Sequence, residues 1–163
     1  MVDIQLARDE HFEEIWSIIH AILEKGDTYP YAPNTTRAEA FEIWMKYPKA
    51  TYVAYHDGEM VGTYYIKPNQ PGLGSHVCNA GYMVASKARG KGIGRAMCKH
   101  SLAEARKLGF KAMQYNLVVS TNEGAIRLWK KHGFEVIGTL HNAFRHKRLN
   151  FLDTLVMYKQ LQQ

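Results

Sequence analysis

The spacing of hydrophobic and polar residues changes several times along the chain, and each change marks an element. Residues 2–7 alternate and predict a strand. Residues 9–25 switch to helical spacing, with Phe12, Ile15, Trp16, Ile19 and Ile22 on one face, and Gly26 ends that helix. Asp27-Thr-Tyr-Pro-Tyr-Ala-Pro-Asn34 is a loop set by two prolines. Thr35 or Thr36 can cap a second helix running to about residue 47, with Phe41, Trp44 and Met45 on one side. Residues 51–56 and 60–67 flank Asp57-Gly58, a strong hairpin signal. Residues 68–75 are loop and residues 76–85 a strand.

A glycine-rich stretch then opens a helix that ends at Leu108, with Met97, Cys98, Ser101, Leu102, Ala105 and Leu108 on one face. Gly109 stops it. Residues 111–119 predict a strand. Residues 120–132 predict a helix, in which Ser120 and Glu123 have capping-box spacing. Residues 134–140 and 152–159 predict the last two strands, which leaves His141 and His146 in a loop. The order β-α-α-β-β-β-α-β-α-β-β predicts a mixed α/β fold with antiparallel hairpins. Three strands in succession exclude a doubly wound nucleotide-binding sheet. No repeat or low-complexity segment intervenes, so one domain is expected over residues 1–163.

Charge changes the picture only locally. The chain carries 21 Lys and Arg against 15 Asp and Glu, a net charge of +6. A polyanionic small molecule, a nucleic acid or a membrane surface would each account for the excess, as would solubility alone. Basic residues are mixed with acidic ones except in the glycine stretch and in Arg145-His146-Lys147-Arg148. The longest apolar stretch, residues 15–23, is interrupted by Ser17 and His20 and is far shorter than a membrane span. No signal-peptide pattern opens the sequence, and Cys78 and Cys98 fit no metal or redox spacing. A cytoplasmic setting is expected.

Arg89-Gly-Lys-Gly-Ile-Gly94 follows a strand and begins a helix. It is not a Walker A loop, and Arg95 breaks the dinucleotide fingerprint. Its physics still favours phosphate. Glycines allow close backbone approach, a helix N-terminus offers free amides and a favourable dipole, and Arg89, Lys91 and Arg95 add positive charge.

Gly81-Tyr-Met-Val84 followed by Arg89-Gly-x-Gly-x-Gly94 resembles the acyl-CoA-binding motif of the GNAT superfamily of N-acetyltransferases. Asn122-x-x-Ala125-x-x-Leu128-Trp129-x-x-x-Gly133-Phe134 is similar to that family's penultimate helix and the strand after it. The resemblance implies a mostly antiparallel central sheet flanked by about four helices, and acetyl-CoA as co-substrate. It also implies pyrophosphate on the amides of Gly90, Lys91, Gly92, Ile93, Gly94 and Arg95. The pantetheine arm would lie beside Met83 and Val84, with Asn122 in contact, although Asn122 also suits a simple helix cap. An amide near Tyr82 would hold the thioester oxygen. Coenzyme A is polyanionic and explains part of the basic excess, so neither nucleic acid nor membrane is expected as a partner. Dimers are common in the family, and a homodimer is left open.

Two departures bear on mechanism. Trp129 stands where many family members carry a Tyr acid, and an indole N–H is no useful acid at neutral pH. Neither 76–85 nor 112–120 holds a carboxylate to act as base. Asn79 and Asn116 occupy these strands instead, where Asn is disfavoured, so each needs a reason. A bulge or an edge hydrogen bond is one; contact with the acceptor is the other. Ser75-His-x-Cys-Asn-Ala-Gly81, Asn116-Leu-Val-x-x-x-Asn122, Leu128-Trp-x-Lys-x-Gly-Phe134 and Tyr64-Tyr-Ile-Lys-Pro-Asn69 resemble fungal acetyltransferases that detoxify proline analogues such as azetidine-2-carboxylate. That resemblance implies that Asn79 and Asn116 serve the acceptor, a small-molecule amine such as an amino or imino acid. Tyr29-Pro-Tyr31 lies in the loop where GNAT enzymes often shape the acceptor pocket, and would either wall that pocket or serve ordinary packing.

None of the eight histidines forms a metal motif, and no metal is expected. His76, at the start of a strand, is the histidine best placed to act as a base. Arg145–Arg148 would either steer a carboxylate or form a solvated hairpin tip. Two other classes stay open on these residues. One is a protein lysine or N-terminal acetyltransferase, which an overall basic chain disfavours. The other is a non-catalytic acyl-CoA sensor, which the missing carboxylate and Tyr keep open.

Overall fold

The structure is a computed structural model, and it describes residues 1–161. Strands β1 (Val2–Leu6), β2 (Ala50–His56), β3 (Glu59–Pro68), β4 (Val77–Val84), β5 (Ala112–Val119), β6 (Glu135–His146) and β7 (Asn150–Gln160) form one sheet, ordered β1-β2-β3-β4-β5-β7-β6. Helices α1 (Phe12–Lys25), α2 (Arg37–Phe41), α3 (Ile93–Lys107) and α4 (Glu123–Lys131) flank it. All neighbouring strands are antiparallel except β4 and β5, which are parallel. The mixed, mostly antiparallel sheet and its four helices are those expected. No helix among the described residues is long and apolar enough to cross a membrane.

Alternation along β2, β3 and β4 builds two cores, because both faces of the sheet are covered. Tyr52, Ala54, Tyr64, Ile66 and Ala80 pack with Ile93, Met97, Cys98 and Leu102 of α3. Val53, Tyr65 and Met83 pack on the other face with Phe12, Ile15, Ile19 and Ile22 of α1 and with Trp44. Gly26 closes α1 in the left-handed conformation, φ 60°. The β2–β3 hairpin turns on Asp57 (φ 51°) and Gly58 (φ 78°), the paired positive φ that a two-residue primed turn requires.

Three boundaries differ from those expected. Helix α2 is capped by Thr36 with Glu39 in a capping box, but it widens into a π-helical turn over Glu42–Lys46. There the Trp44 indole donates to Thr63 Oγ1 at 3.0 Å. Helix α4 starts at Glu123 and is capped by Asn122, whose side chain accepts from the Ala125 amide at 3.4 Å, rather than by Ser120. Strands β6 and β7 run on to a tight turn, so His141 and His146 lie in β6 and not in a loop. Register shifts at Val136/Gly138 and Leu140/Phe144 break the alternation of β6. One of them contains Asn142 at φ 52°, whose amide donates to Asp153 Oδ1 at 3.0 Å.

The feature that positions the site is where β4 and β5 stop pairing. They pair only at Val77–Ala112 and Cys78–Met113. Beyond Cys78, β4 stays on β3, while β5 follows β7 and bulges between Tyr115 and Val118. Gly81 matters to the shape of this opening. A Cβ there would lie 2.6 Å from the Tyr65 ring. We therefore expect Gly81→Ala to destabilise the fold by about 1–3 kcal/mol. Gly124→Ala, where an added Cβ meets nothing within 4 Å, should be neutral or stabilising by up to about 1 kcal/mol. Urea denaturation of the two variants checks the contrast; equal effects would count against the close approach.

Candidate active site

A cavity of about 680 Å³ occupies the opening between β4 and β5. One end is the glycine loop with the start of α3, and one wall is β4 from Asn79 to Val84. The facing wall is β5 from Tyr115 to Val119, with Asn122, Gly124, Ala125, Leu128 and Trp129 of the α4 segment. Thr28, Tyr29, Pro30 and Tyr31 cover it, and Tyr65 and Lys67 of β3 close the far end. Among the described residues, no Asp or Glu lines it.

At the glycine end, Gly90 (φ 77°) and Gly92 (φ 79°) are left-handed, with open space where a side chain would project. Conformation, not crowding, demands glycine at these two positions. The first hydrogen bond into α3 runs from the Ala96 amide to the Gly92 carbonyl at 3.0 Å. Among the described residues, the amides of Gly90, Gly92, Ile93, Gly94 and Arg95 have no main-chain partner. Lys91 is the exception among the expected residues: its amide donates to the Ala88 carbonyl at 3.4 Å, and it does not line the cavity. Its charge acts instead on Glu59, which is paired with Lys87.

The middle of the cavity is a bare strand edge. The Val77 carbonyl and the Ala85 amide bond toward β3, to the Asn69 amide and the Val61 carbonyl, each at 2.8 Å. The His76 carbonyl bonds the other way, to the Lys111 amide at 2.8 Å. A strand residue presents its N–H and C=O on one side, alternating along the chain. Ala80, Tyr82 and Val84 therefore present theirs to the opening. The Tyr29 hydroxyl donates to the Tyr82 carbonyl at 2.7 Å. The Tyr82 side chain points away into the α3 core, where its hydroxyl meets Ser101 Oγ at 2.6 Å and the Tyr115 hydroxyl at 2.9 Å. Its ring lies against Trp129, centroids 4.9 Å apart, so Trp129 is packed into the cavity wall. Burial holds the Tyr29 and Tyr82 phenols well above their ordinary pKa.

The far end gathers Asn79, Asn116, Tyr31, Tyr65 and Lys67. Asn79 is buried, and its amide is already engaged: Oδ1 accepts from Tyr65 at 3.2 Å and Nδ2 donates to the Gln114 carbonyl at 2.9 Å. It ties β4 to β5 just past their last paired residues. That is the edge hydrogen bond an Asn in a strand called for; with one bond at each end, the amide still keeps one N–H and one lone pair beside the cavity it lines. Asn116 sits in the β5 bulge, exposed, with Nδ2 donating to Asn69 Oδ1 at 2.7 Å and Oδ1 accepting from Gln114 at 3.0 Å. It keeps one N–H and one lone pair for a ligand. Tyr65 and Lys67 were not anticipated. The signal was there: they share a face of β3, directly opposite Gly81 and Asn79. Burial pushes the Lys67 ammonium below its ordinary pKa.

The remaining candidates fall elsewhere. His76 is exposed and outside the cavity lining, which leaves its imidazole no contact with the site. Arg145–Arg148 also lie outside the lining, in and beside the β6–β7 turn. Lys147 instead docks the β6–β7 turn on the end of α1. Its Nζ donates to the Glu24 carbonyl at 2.9 Å and its amide to the Gly26 carbonyl at 3.0 Å.

A parallel pair of strands that part beside a glycine-rich helix N-terminus, with an open strand edge between, defines a protein built to bind an extended anionic ligand. Residues 10–134 match the model of the Acetyltransferase (GNAT) family, and the chain belongs to that family. Over 156 residues it is 33% identical to N-acetyltransferase aca1 of Schizosaccharomyces pombe, an alignment covering 86% of this chain and 75% of that protein. It is 39% identical to a GCN5-related N-acetyltransferase from Kribbella flavida, with a TM-score of 0.93 over 98% of each chain. A phosphinothricin acetyltransferase from Sinorhizobium meliloti, solved in complex with AcCoA, shares the fold at 22% identity and TM-score 0.87, over 98% of this chain and 88% of that one.

The two asparagines should separate in stability measurements. Asn79→Ala orphans the Gln114 carbonyl and should lower the unfolding free energy by about 1–3 kcal/mol. Asn116→Ala, exposed in a bulge, should stay within about 0.5 kcal/mol of the parent. Denaturant titration decides; an unchanged Asn79→Ala would remove the strand-tying role.

Proposed function

We propose that this GNAT family N-acetyltransferase transfers the acetyl group of acetyl-CoA to the amine of a small molecule, an amino or imino acid such as a proline analogue. The observation that carries the reading is the continuity of the cavity, from free amides, along a bare strand edge, to a far end without carboxylates. The pyrophosphate lies on the amides of Gly90, Gly92, Ile93, Gly94 and Arg95, with the α3 dipole and the Arg89 and Arg95 charges favouring it. The pantetheine arm pairs with β4 as an added strand beside Met83 and Val84 and packs on Leu128 and Trp129, next to Asn122. The Tyr82 N–H holds the thioester oxygen, its carbonyl being occupied by Tyr29. Residues 1–163 act as one N-acetyltransferase domain. The two cysteines, free and buried, suit a reducing cytoplasm.

The amine nitrogen attacks the thioester carbon. The C–N bond forms, the C–S bond breaks, the nitrogen gives up a proton and the thiolate takes one. No lining carboxylate can accept that proton, and Tyr29 and Tyr65 are phenols whose raised pKa values keep them protonated. They serve as hydrogen-bond donors. The acceptor therefore enters as its minor neutral amine, positioned by Asn116, and water carries the proton away. Two features support the acceptor class: the motif resemblance to fungal proline-analogue acetyltransferases, and the 33% identity to a fungal N-acetyltransferase.

Thiol release against a panel of amines, amino acids and proline analogues tests the reading, and steady turnover with any of them rules out a mere acyl-CoA sensor. Two variants sharpen it. Gly92→Glu forces a side chain onto a left-handed residue and adds negative charge at the phosphate site. Acetyl-CoA at 100 times its Kd should stabilise the parent by about 2.7 kcal/mol and this variant not at all, as read by thermal shift. In the parent, kcat/KM should rise with pH toward the acceptor's own amine pKa, without an enzyme ionisation near neutrality. Asn116→Ala should lower kcat/KM for the acceptor about ten- to a hundredfold while sparing acetyl-CoA affinity. A neutral-range ionisation lost in a His76 variant would contradict this scheme.

A further inference from the structure

The cavity carries cations at both ends. Arg89 and Arg95 stand at the glycine end, and Lys67 stands at the other, beyond the apolar wall of Met83, Leu128 and Trp129. Lys67 is half-buried, with its ammonium 5.2 Å from the centroid of the Tyr65 ring. It forms no ion pair; every pair among the described residues lies elsewhere. Its cross-strand neighbour is Asn79. Asn69, two residues further along the chain, holds Asn116. The phenols of Tyr31 and Tyr65 lie close to one another, and both line the cavity. None of these neighbours carries a charge.

A partly desolvated ammonium resting on a ring face is stabilised weakly compared with one that meets an anion. A second cation, such as a lysine side chain or a polyamine, would be repelled there. A carboxylate would satisfy the ammonium directly through a charge-assisted hydrogen bond, with the spare N–H of Asn116 nearby.

We propose that Lys67 is the carboxylate-binding residue for the acceptor, which restricts the enzyme to α-amino and imino acids held with the carboxylate on Lys67 and the amine toward the β4 edge. The assignment rests on the acetyl-transfer reading above. It makes Lys67 a specificity determinant and leaves the transfer chemistry to the strand edge. The lowered pKa of Lys67 in the absence of ligand agrees with it, because a bound carboxylate would raise it again.

The test uses matched acceptors: each L-amino acid, L-proline and L-azetidine-2-carboxylate beside its own carboxamide. Values of kcat/KM are expressed per neutral amine, because amidation lowers the amine pKa. The parent should prefer acid over amide at least roughly tenfold. Lys67→Met should erase that preference by raising KM for the acids roughly ten- to a hundredfold, with acetyl-CoA affinity unchanged. Lys67→Arg should restore part of it. Three outcomes overturn the assignment. The first is a parent that treats acids and amides alike. The second is a Lys67→Met variant that keeps the preference. The third is loss of kcat together with the disappearance of an enzyme ionisation at unchanged acid-to-amide preference, which would make Lys67 a general base. A parent that acetylates amides as readily as acids leaves the acetyl-transfer reading intact. A parent that binds acetyl-CoA yet releases no thiol with any member of the panel defeats that reading, and this one with it.

Discussion

The site depends on how few residues β4 and β5 share. Two paired residues join them; after Cys78 the hydrogen-bonding edge of β4 faces empty space in the middle of a sheet. An open edge in a sheet interior is normally costly, since unpaired main-chain groups away from water lose hydrogen bonds. Here the cost is contained by three local devices. The Asn79 amide bridges to the Gln114 carbonyl at the apex, the β5 bulge carries that strand away toward β7, and the Tyr29 hydroxyl takes the Tyr82 carbonyl. Each leaves main-chain donors available in the opening.

The same parting sets the polarity of the cavity. Because β4 leads into the glycine loop and α3, free amides and two arginines gather at one end. Because β3 stays paired with β4, its Tyr65 and Lys67 reach the other end across Gly81 and Asn79. The walls between are apolar. A long ligand with a phosphate-bearing head has one orientation that satisfies both its charge and its main-chain hydrogen bonds, and that orientation directs its tail to the Lys67 end.

Most of this fold could be read from residue spacing. The order of the elements, the hairpin at Asp57-Gly58 and the buried face of α3 follow from local periodicity, and the glycine loop from its composition. What could not be read has physical causes in each case. The length of β6 was hidden because bulges around Gly138 and Asn142 interrupt the alternation that announces a strand. The start of α4 stayed open because Ser120 and Asn122 are both competent caps; backbone geometry chooses Asn122, as its alternative reading as a helix cap allowed. Asn79 looked like a free polar group because its partners, Tyr65 and the Gln114 carbonyl, are 14 and 35 residues away. Lys67 passed unnoticed since a lysine near a strand end ordinarily faces solvent; only the register that sets it against Asn79 turns it inward.

The docking of Lys147 on the end of α1 ties together distant parts of the sequence. Its two hydrogen bonds hold Glu24 and Gly26, and three residues after Gly26 the chain reaches Tyr29, latched to the β4 edge. The cover of the cavity is thus a short bridge with both abutments fixed, one by a β-turn more than a hundred residues downstream and the other by a single phenol. Such a span has little slack. A change in the length or pitch of the β6–β7 turn would carry Glu24 and Gly26 with it and so shift the cover, without touching any residue that lines the cavity.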